Sequence, residues 1–347
     1  MKPGWPKETF DMSRLKKFLK DWMLVISILT GAGLYLFYMN CPALHPAGPL
    51  LLKLCKTVQP VLLFMMLFLS FCKIEPRQMR PARWMVWNLL LQGGCFVVGA
   101  LFLWWSSAHQ TPLALSVQRW RVFIESFMLC MICPTATACA VVTDRLGGSM
   151  AGAVTYTVLI NLMVAVLIPL FVPLIYPQEG MDFWTAFCKI LAKVFPLLIL
   201  PCLCAWGVRL LLPKVHAFFL RYTAWSFYLW AVALTIAILM STRGIVQSHQ
   251  GLSVLAGIAL MAVLSCLLQF GLGKRIGHRY DRKSDSVDQA DGVCRITAGQ
   301  SLGQKNTVFG IWVGYTFMDP LVSVVGGFYS ICHNVYNTWQ LYRLNKR

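Results

Sequence analysis

Two short polar segments interrupt apolar stretches of the chain, and they contain most of its candidate binding residues. Residues 133–140 read CPTATACA and residues 297–307 read TAGQSLGQKNT. Hydrocarbon offers no partner to a free backbone N–H or C=O, so a broken helix at membrane depth persists only where protein or water satisfies those groups. Two breaks in corresponding positions of two halves of a chain are the best sequence indication of a transporter's binding site. We therefore expect Pro134 and Gly299 to break two membrane helices whose ends meet and bind a ligand.

The composition predicts an all-helical membrane protein. Of the 347 residues, 58% are hydrophobic and 13% are charged, and that charged share is about half the usual value for a soluble domain. Apolar stretches of about 18 residues or more recur along the chain, and each can cross a bilayer as a helix. The net charge of +18 comes from basic residues scattered over loops without a nucleic-acid-binding module. The predicted partner is therefore the lipid bilayer and not nucleic acid.

Motifs for catalysis or for a bound cofactor are missing from the sequence. It contains no Ser/His/Asp arrangement, no P-loop, no GxGxxG and no metal-ligand spacing of histidines. Most of the 13 cysteines lie within apolar stretches, where cysteine usually packs as a small hydrophobic residue. We therefore predict neither an enzyme nor a resident metal or organic cofactor.

Ten membrane-spanning helices are expected, and an even number places both termini on the same side of the membrane. Lysine and arginine are concentrated in the segments assigned to that side, which include the N-terminal arm and the loop 274–294. Because such an excess marks cytoplasmic loops, we predict an integral protein of the cell membrane with cytoplasmic termini. The expected spans are residues 22–39, 50–72, 84–105, 121–145, 149–176, 183–212, 219–241, 252–273, 296–318 and 320–341.

The ten spans divide into two halves of five, and the broken element is the fourth span of each half. Because five is odd, the second half would lie in the membrane with the opposite orientation, as the inverted repeats of transporters do. The expected organisation is a cytoplasmic arm over 1–21, repeats over 22–176 and 183–341, an external linker over 177–182, a cytoplasmic loop over 274–294 and a tail over 342–347.

Four segments of the chain resemble the bile acid:sodium symporter family of the bile/arsenite/riboflavin transporter superfamily. Residues 131–157, MICPTATACAVVTDRLGGSMAGAVTYT, look like the family's fourth and fifth helices, and residues 295–310, RITAGQSLGQKNTVFG, look like its ninth. Gln92 in LLLQGG resembles a glutamine of the third helix, and CHNVYNTW near the end of the chain resembles the tenth.

The resemblance implies a fold and a function. The fold is a core domain of spans 3–5 and 8–10, which contains two crossed helices, beside a panel domain of spans 1, 2, 6 and 7. The function is transport of a small organic anion, bile-acid-like or another carboxylate or sulfonate, by movement of core against panel, commonly with sodium. The alternative is a membrane receptor or sensor that keeps the fold without transport.

The departures from the family pattern concern its sodium ligands. Sodium needs hard oxygen ligands, and the family supplies them from its fourth, fifth and ninth helices. The Ser-Asn pair of the fourth helix aligns here with Cys139 and Ala140, and the Ser/Thr pair of the fifth aligns with Ala153 and Thr157. A thiol is a poor ligand for a hard cation and a methyl group is none, so sodium coupling is doubtful.

The ninth helix aligns with the family in two ways. In one alignment the family's Glu and Gln fall on Gln300 and Gln304, with Lys305 in place of its Asn; in the other they fall on Ser301 and Lys305. Both alignments lose the carboxylate and place Lys305 in the ion site. A lysine at this depth costs about 2.5–3.5 kcal/mol on insertion scales.

Lys305 has two interpretations. Our hypothesis is that its ammonium takes the place of a sodium ion and is held by helix-end carbonyls, with proton coupling open because burial disfavours the charged form. The alternative is a lysine that snorkels to water. The side chains expected around the ammonium are Gln92, Gln300, Gln304 and Asn306.

The substrate is expected behind the crossing, in contact with Thr135, Thr137, Asn306 and Thr307. The threonines have a structural alternative, because their hydroxyls can also cap backbone groups freed by the breaks. The complete predicted crossing site is Gln92, Thr135, Thr137, Cys139, Thr157, Gln300, Gln304, Lys305, Asn306 and Thr307.

Two pairs of lysines lie near the non-cytoplasmic ends of panel helices. Their spacings of three and four residues put each pair on one helix face. With Arg119 and Arg121 they would form a basic vestibule that attracts an anion, or they would snorkel to lipid phosphates. Arg121 is also expected to pair with Glu125 four residues later. The four lysines are Lys53, Lys56, Lys189 and Lys193.

Overall fold

The protein is almost entirely helical. The structure, a computed structural model, describes residues 12–109, 111–177, 180–248, 250–281 and 292–345. Short connections and two 3-10 turns separate the α-helices in these ranges. In chain order they are α1 Met12–Asn40, α2 Gly48–Cys72, α3 Arg83–Ala108, α4 Pro112–Arg119, α5 Arg121–Ile132, α6 Cys139–Arg145, α7 Met150–Ile175, α8 Phe183–Leu198, α9 Leu200–Leu211, α10 Pro213–Arg221, α11 Trp225–Ser248, α12 Leu252–Asp281, α13 Val293–Gly303, α14 Thr307–Phe317 and α15 Val324–Asn345.

The long apolar helices identify an integral membrane protein. Within the described ranges, α1, α2, α3, α7, α11 and α12 are each long and apolar enough to cross a bilayer. The pair α8 and α9 adds a seventh span if it is taken as one helix bent by 41°. The other three predicted spans coincide with α5–α6, α13–α14 and α15. The all-helical membrane class is therefore confirmed, and the count of ten spans stays a prediction.

The bend between α8 and α9 is explained by two prolines. Pro196 lies within α8 and Pro201 in the first turn of α9, on either side of Ile199. Proline has no N–H to donate to the preceding turn, and its ring clashes with the carbonyl four residues earlier. The hydrophobic stretch predicted as one span is therefore two helices.

The loop expected from residue 274 is helical at its start, because α12 continues to Asp281. Two glycines on α12 let α13 come close. A Cβ at Gly273 would lie 2.6 Å from the carbonyl oxygen of Ala298. A Cβ at Gly277 would collide with the carbonyl oxygen of Cys294. Packed against α13 in this way, α12 extends eight residues beyond the predicted end of its span at 273. Residues 282–291 of the expected loop lie outside the described ranges.

The predicted termini and linker are described in part. The arm expected over 1–21 is helical from Met12 onward, and the tail expected over 342–347 is helical to Asn345. The rest of both, with residues 178–179 of the linker, lies outside the described part of the chain.

The helices can be divided into two groups that also pack closely on each other. The crossing group consists of α3–α7 and α12–α15, and the flanking group consists of α1, α2 and α8–α11. The groups meet where α7 packs on α8, where α11 packs on α14 and α15, and where α2 touches α14. Two polar contacts at this boundary are Tyr315 Oη donating to Gln59 Oε1 at 2.8 Å and the hydroxyls of Ser241 and Ser323 at 3.2 Å.

Replacement of Asp281 by alanine is predicted to lower the unfolding temperature. The carboxylate of Asp281 accepts from the backbone N–H groups of Cys294 at 2.7 Å and Arg295 at 3.0 Å, so it caps the first turn of α13. Loss of such a cap costs about 1 kcal/mol, which corresponds to about 2–4 °C for a protein of 150–250 residues and less for a larger one. Thermal unfolding in detergent measures the shift. Asp281→Asn, which keeps one acceptor oxygen, should lose less, and equal unfolding temperatures for Asp281→Ala and the wild type would contradict the prediction.

Candidate functional site

The two breaks lie in the two polar segments that the sequence indicated. The helix α5 ends at Ile132 and α6 begins at Cys139, while α13 ends at Gly303 and α14 begins at Thr307. The prediction that Gly299 breaks the second helix is wrong, because that residue lies inside α13. A Cβ at Gly299 would be 2.5 Å from Cγ of Lys274, so this glycine makes room for α12.

The two unwound segments cross and pair with each other. Thr135 and Lys305 form an antiparallel backbone bridge. On either side of it, Ala136 N donates to Gln304 O at 2.9 Å and Asn306 N donates to Pro134 O at 2.8 Å. Since an α-helix leaves its last carbonyls and first N–H groups unpaired, each break supplies partners that the other needs. We call residues 133–138 and 304–306 together the crossing.

Side chains from neighbouring helices cap the carbonyls at the end of α5. Gln92 Nε2 on α3 donates to Cys133 O at 2.9 Å, and Gln269 Nε2 on α12 donates to Cys130 O at 3.3 Å. The carbonyl of Cys133 belongs to the crossing itself, so Gln92 holds the first break in place. Its family counterpart suggested a ligand role, whereas this contact is structural.

Gln92 is itself held from α7. Tyr156 Oη donates to Gln92 Oε1 at 3.0 Å, and its ring packs on Trp84 with centroids 5.8 Å apart. Tyr156 and Gln92 are both completely buried. The amide therefore has a fixed orientation, with its oxygen toward α7 and its nitrogen toward the crossing.

The end of α13 is capped in the same way. Thr135 Oγ1 donates to Ser301 O and Tyr329 Oη on α15 donates to Gly303 O, both at 2.8 Å. Gln269 Nε2 also donates to Tyr329 Oη at 3.3 Å. Gln269 and Tyr329 thus link the end of α5 to the end of α13.

Lys305 is buried in the centre of the crossing. Its side chain is 1% exposed, and Nζ donates to Met131 O, near the end of α5, at 3.4 Å. No carboxylate among the residues described lies within ion-pair distance of this ammonium. The side chain therefore does not extend to the outer surface of the protein, and the choice between the two interpretations of Lys305 stays a prediction.

The amides expected around the ammonium have other partners. Gln304 Nε2 donates to Gln300 Oε1 at 2.6 Å. Asn306 Oδ1 accepts from Phe309 N at 3.2 Å, so it is the N-cap of α14. A backbone carbonyl, and not the predicted amides, is the hydrogen-bond acceptor for Lys305.

The donor atoms near the crossing do not fit a sodium ion. Cys139 is completely buried, with its sulfur 3.7 Å from Thr143 Oγ1. Thr157 Oγ1 donates to Ala153 O of its own helix at 2.9 Å. A soft thiol, a hydroxyl already engaged with the backbone and an ammonium among the carbonyls do not provide the cluster of hard oxygens that sodium requires.

A cavity of about 570 Å³ lies between the crossing group and the flanking group. Apolar and aromatic side chains of α2, α7 and α11 form much of its wall, and exposed charged residues stand at its mouth. Its wall includes Thr137 and Ala138 of the crossing. Other lining residues are Phe71, Lys73, Arg145, Thr157, Phe227 and Trp230.

A second cavity, of about 200 Å³, adjoins the first and shares Thr137, Ala138, Val142, Trp230 and Asn334 with it. Three buried polar atoms of its lining residues have no hydrogen-bond partner among the described residues, and an ordered water is a common partner for such atoms. They are Asn306 Nδ2, His333 Nδ1 and Asn337 Oδ1.

Six of the ten predicted site residues line these cavities, and four do not. Thr137 lines both, Thr157 the larger, and Gln304, Lys305, Asn306 and Thr307 the smaller. Gln92, Thr135, Cys139 and Gln300 are buried inside the crossing or against it. Thr135 in particular gives its hydroxyl to Ser301 O, so its expected contact with substrate is replaced by a structural bond.

Sequence reasoning missed the contribution of α15 and α11. His333 and Asn337 lie four residues apart on α15 and face the smaller cavity, and Trp230 of α11 lines both cavities. Polar residues recurring at this spacing in an apolar helix are a usable signal of a buried polar face. A tryptophan on α11 carries no comparable signal.

The four lysines of the predicted vestibule are all exposed, on α2 and α8, which pack together. Lys193 Nζ lies 5.7 Å from the centroid of the Phe317 ring. Neither cavity is lined by any of the four, so a role in attracting an anion stays a prediction.

The pair Arg121–Glu125 is confirmed, with Nε and Oε1 2.6 Å apart. Arg121 Nη2 also donates to Ile175 O at 2.8 Å, and its guanidinium lies 5.0 Å from the centroid of the Tyr176 ring. Arg121 thus joins the start of α5 to the end of α7. The side chain of Arg119 lies outside the described part of the structure.

Comparisons with known proteins add no assignment. No family model matches the chain, and no curated protein sequence matches it significantly. The resemblance to the bile acid:sodium symporter family therefore depends on the segments quoted above.

Removal of the Tyr156 hydroxyl is predicted to destabilise the protein. Tyr156→Phe leaves Gln92 Oε1 buried without its donor, at a cost of about 1–3 kcal/mol. Tyr228→Phe is the matched control, because Tyr228 is 53% exposed. We expect a lower unfolding temperature in detergent for Tyr156→Phe only. Equal unfolding temperatures for Tyr156→Phe and Tyr228→Phe would contradict the conclusion that Tyr156 holds Gln92 in place.

Proposed function

We propose that the protein is a secondary transporter that moves an organic anion across the membrane by alternating access. The observation that carries this proposal is the crossing, in which two broken helices pair beside a cavity. Paired broken helices are where transporters place their binding sites. Non-helical backbone at membrane depth is tolerated where it is buried in protein or lines a water-filled cavity.

The packing of the helices supports this mechanism. The crossing group has the same spans as the core domain that the family resemblance implies, and the flanking group has the same spans as the panel domain. We propose ten spans in two inverted repeats, with α5–α6 and α13–α14 as corresponding broken elements. Movement of one group against the other would open the crossing to each side in turn.

The chemistry of the cavity favours an anion with an apolar body. Lys73 and Arg145 are exposed at its mouth, while Glu75 is paired with Arg209 at 3.2 Å. Aromatic and aliphatic side chains line much of the wall. An amphipathic carboxylate or sulfonate would find apolar contact along its body and positive potential near its charged end.

The orientation follows from charge. The larger cavity opens at the end of the bundle that carries Lys73 and Arg145. Since an excess of lysine and arginine marks the cytoplasmic side, we propose that this end and both termini face the cytoplasm. The structure then corresponds to an inward-facing state.

A membrane receptor or sensor on the same fold is the second candidate. The observation in its favour is the donor set around Cys139, Thr157 and Lys305, which does not fit the sodium ion that drives many transporters of this kind. A receptor would bind an anion without carrying it across.

Transport in proteoliposomes separates the two candidates. We expect saturable, protein-dependent uptake of at least one anion from a panel of bile acids, such as taurocholate, and simple carboxylates and sulfonates. Stabilisation of the protein by such an anion without flux would favour the receptor. If none of the anions binds to the protein and none crosses the membrane, the proposal is contradicted.

Loss of the basic residues at the mouth of the cavity is predicted to weaken substrate capture. Lys73→Gln combined with Arg145→Gln should raise KM severalfold with a smaller change in kcat, because exposed charges attract the anion without taking part in the movement. Arg221→Gln is the control, since Arg221 ends α10 and does not line either cavity. Equal effects of the control and the double variant on uptake would contradict this role.

A further inference from the structure

The end of α5 carries the partial negative charge of a helix C-terminus, and it points into the crossing. The carbonyls at such an end attract a cation, and half-helix C-terminal ends in transporters commonly bind Na⁺ or H⁺. Here the amine of Lys305 occupies this end, because its Nζ lies 3.4 Å from Met131 O.

The neighbouring carbonyls each have a hydrogen-bond donor from the chain. Three others in this segment accept hydrogen bonds of their own: Cys130 O from Gln269, Cys133 O from Gln92 and Pro134 O from the backbone N–H of Asn306. A backbone carbonyl oxygen has two lone pairs, so each of these three keeps one after its hydrogen bond. Met131 O has its donor from Lys305, and loss of the amine would leave that oxygen beside three others that can each accept once more.

The surroundings of the ammonium also exclude a simple ion pair. Among the residues described, its ionisable neighbours are the thiols of Cys130, Cys133 and Cys139, and no carboxylate is in contact with it. A charge on Lys305 would thus be compensated by backbone dipoles and not by a carboxylate. Helix ends and carbonyls are the groups that would coordinate a metal cation in its place.

We propose that the ammonium of Lys305 is a tethered replacement for a bound monovalent cation, so that the crossing holds its shape without sodium. Removal of the amine should then turn the same position into a site for a free monovalent cation. The cation independence of the fold follows from the geometry of the crossing alone. Its consequence, uptake that does not need a sodium gradient, rests on the proposed transport function.

The test measures unfolding temperatures of the purified full chain in choline, sodium and potassium chloride at equal ionic strength. The wild type should unfold within about 1 °C in all three salts. Lys305→Ser, which opens space and adds a hydroxyl oxygen, should unfold at a lower temperature in choline. Added Na⁺ or K⁺ should raise that temperature by about 2 °C or more in a saturable manner, as a ligand bound only to the folded state does.

Two controls separate this effect from a loss of stability alone. Lys274→Ser removes an ammonium of α12 that is held by Tyr336 and Gln340 of α15, and it should show no dependence on the cation. Lys305→Arg keeps the charge and should show none either. If Lys305→Ser fails to accumulate, Lys305→Gln, which is uncharged but closer in size, is measured by the same criteria.

Three results would overturn the inference. They are a wild type stabilised by sodium over choline by several degrees, a Lys305→Ser variant as stable as the wild type in choline, and a variant destabilised equally in all three salts. None of these measurements involves a substrate, so they stand whether or not the protein transports. Conversely, uptake that required a sodium gradient would contradict the replacement of the cation and leave the transport proposal intact.

Discussion

The whole structure depends on one backbone interaction, the pairing of two unwound segments through Thr135 and Lys305. A break in a membrane helix leaves N–H and C=O groups without water to satisfy them. Here each break satisfies the other, through hydrogen bonds of 2.9 Å at Ala136 and 2.8 Å at Asn306. Neither break has these partners alone, so the N-terminal and C-terminal parts of the chain must assemble together.

The buried polar residues of the bundle follow from that constraint. Gln92, Gln269 and Tyr329 come from three different helices, and each gives a hydrogen bond to a carbonyl at the end of a broken helix. Lys305 does the same with its amine. In an apolar protein such residues are costly unless they are paired. Their concentration around the crossing shows that they satisfy the backbone.

The sequence could predict what is local. The first break was found because proline cannot continue a helix, and the pair Arg121–Glu125 because four residues make one helical turn. The position of the second break was not predictable, since a glycine such as Gly299 either breaks a helix or allows another helix to approach. The caps were missed for a different reason. Gln269 and Cys130 are 139 residues apart in the chain, and no periodicity reports such a contact.

The boundary between the two helix groups is joined by neutral hydrogen bonds, such as those of Tyr315 with Gln59 and Ser241 with Ser323. Of the ion pairs in the described residues, Arg121–Glu125 lies within the crossing group, and Arg209 of α9 pairs with Glu75 in the connection between α2 and α3. A neutral hydrogen bond contributes about 0.5–1.5 kcal/mol, so these bonds would add little to the resistance if one group slides over the other as proposed. The barrier to that movement would then be set by how well apolar surfaces fit in successive registers, and temperature and bilayer thickness would be the variables that tune it.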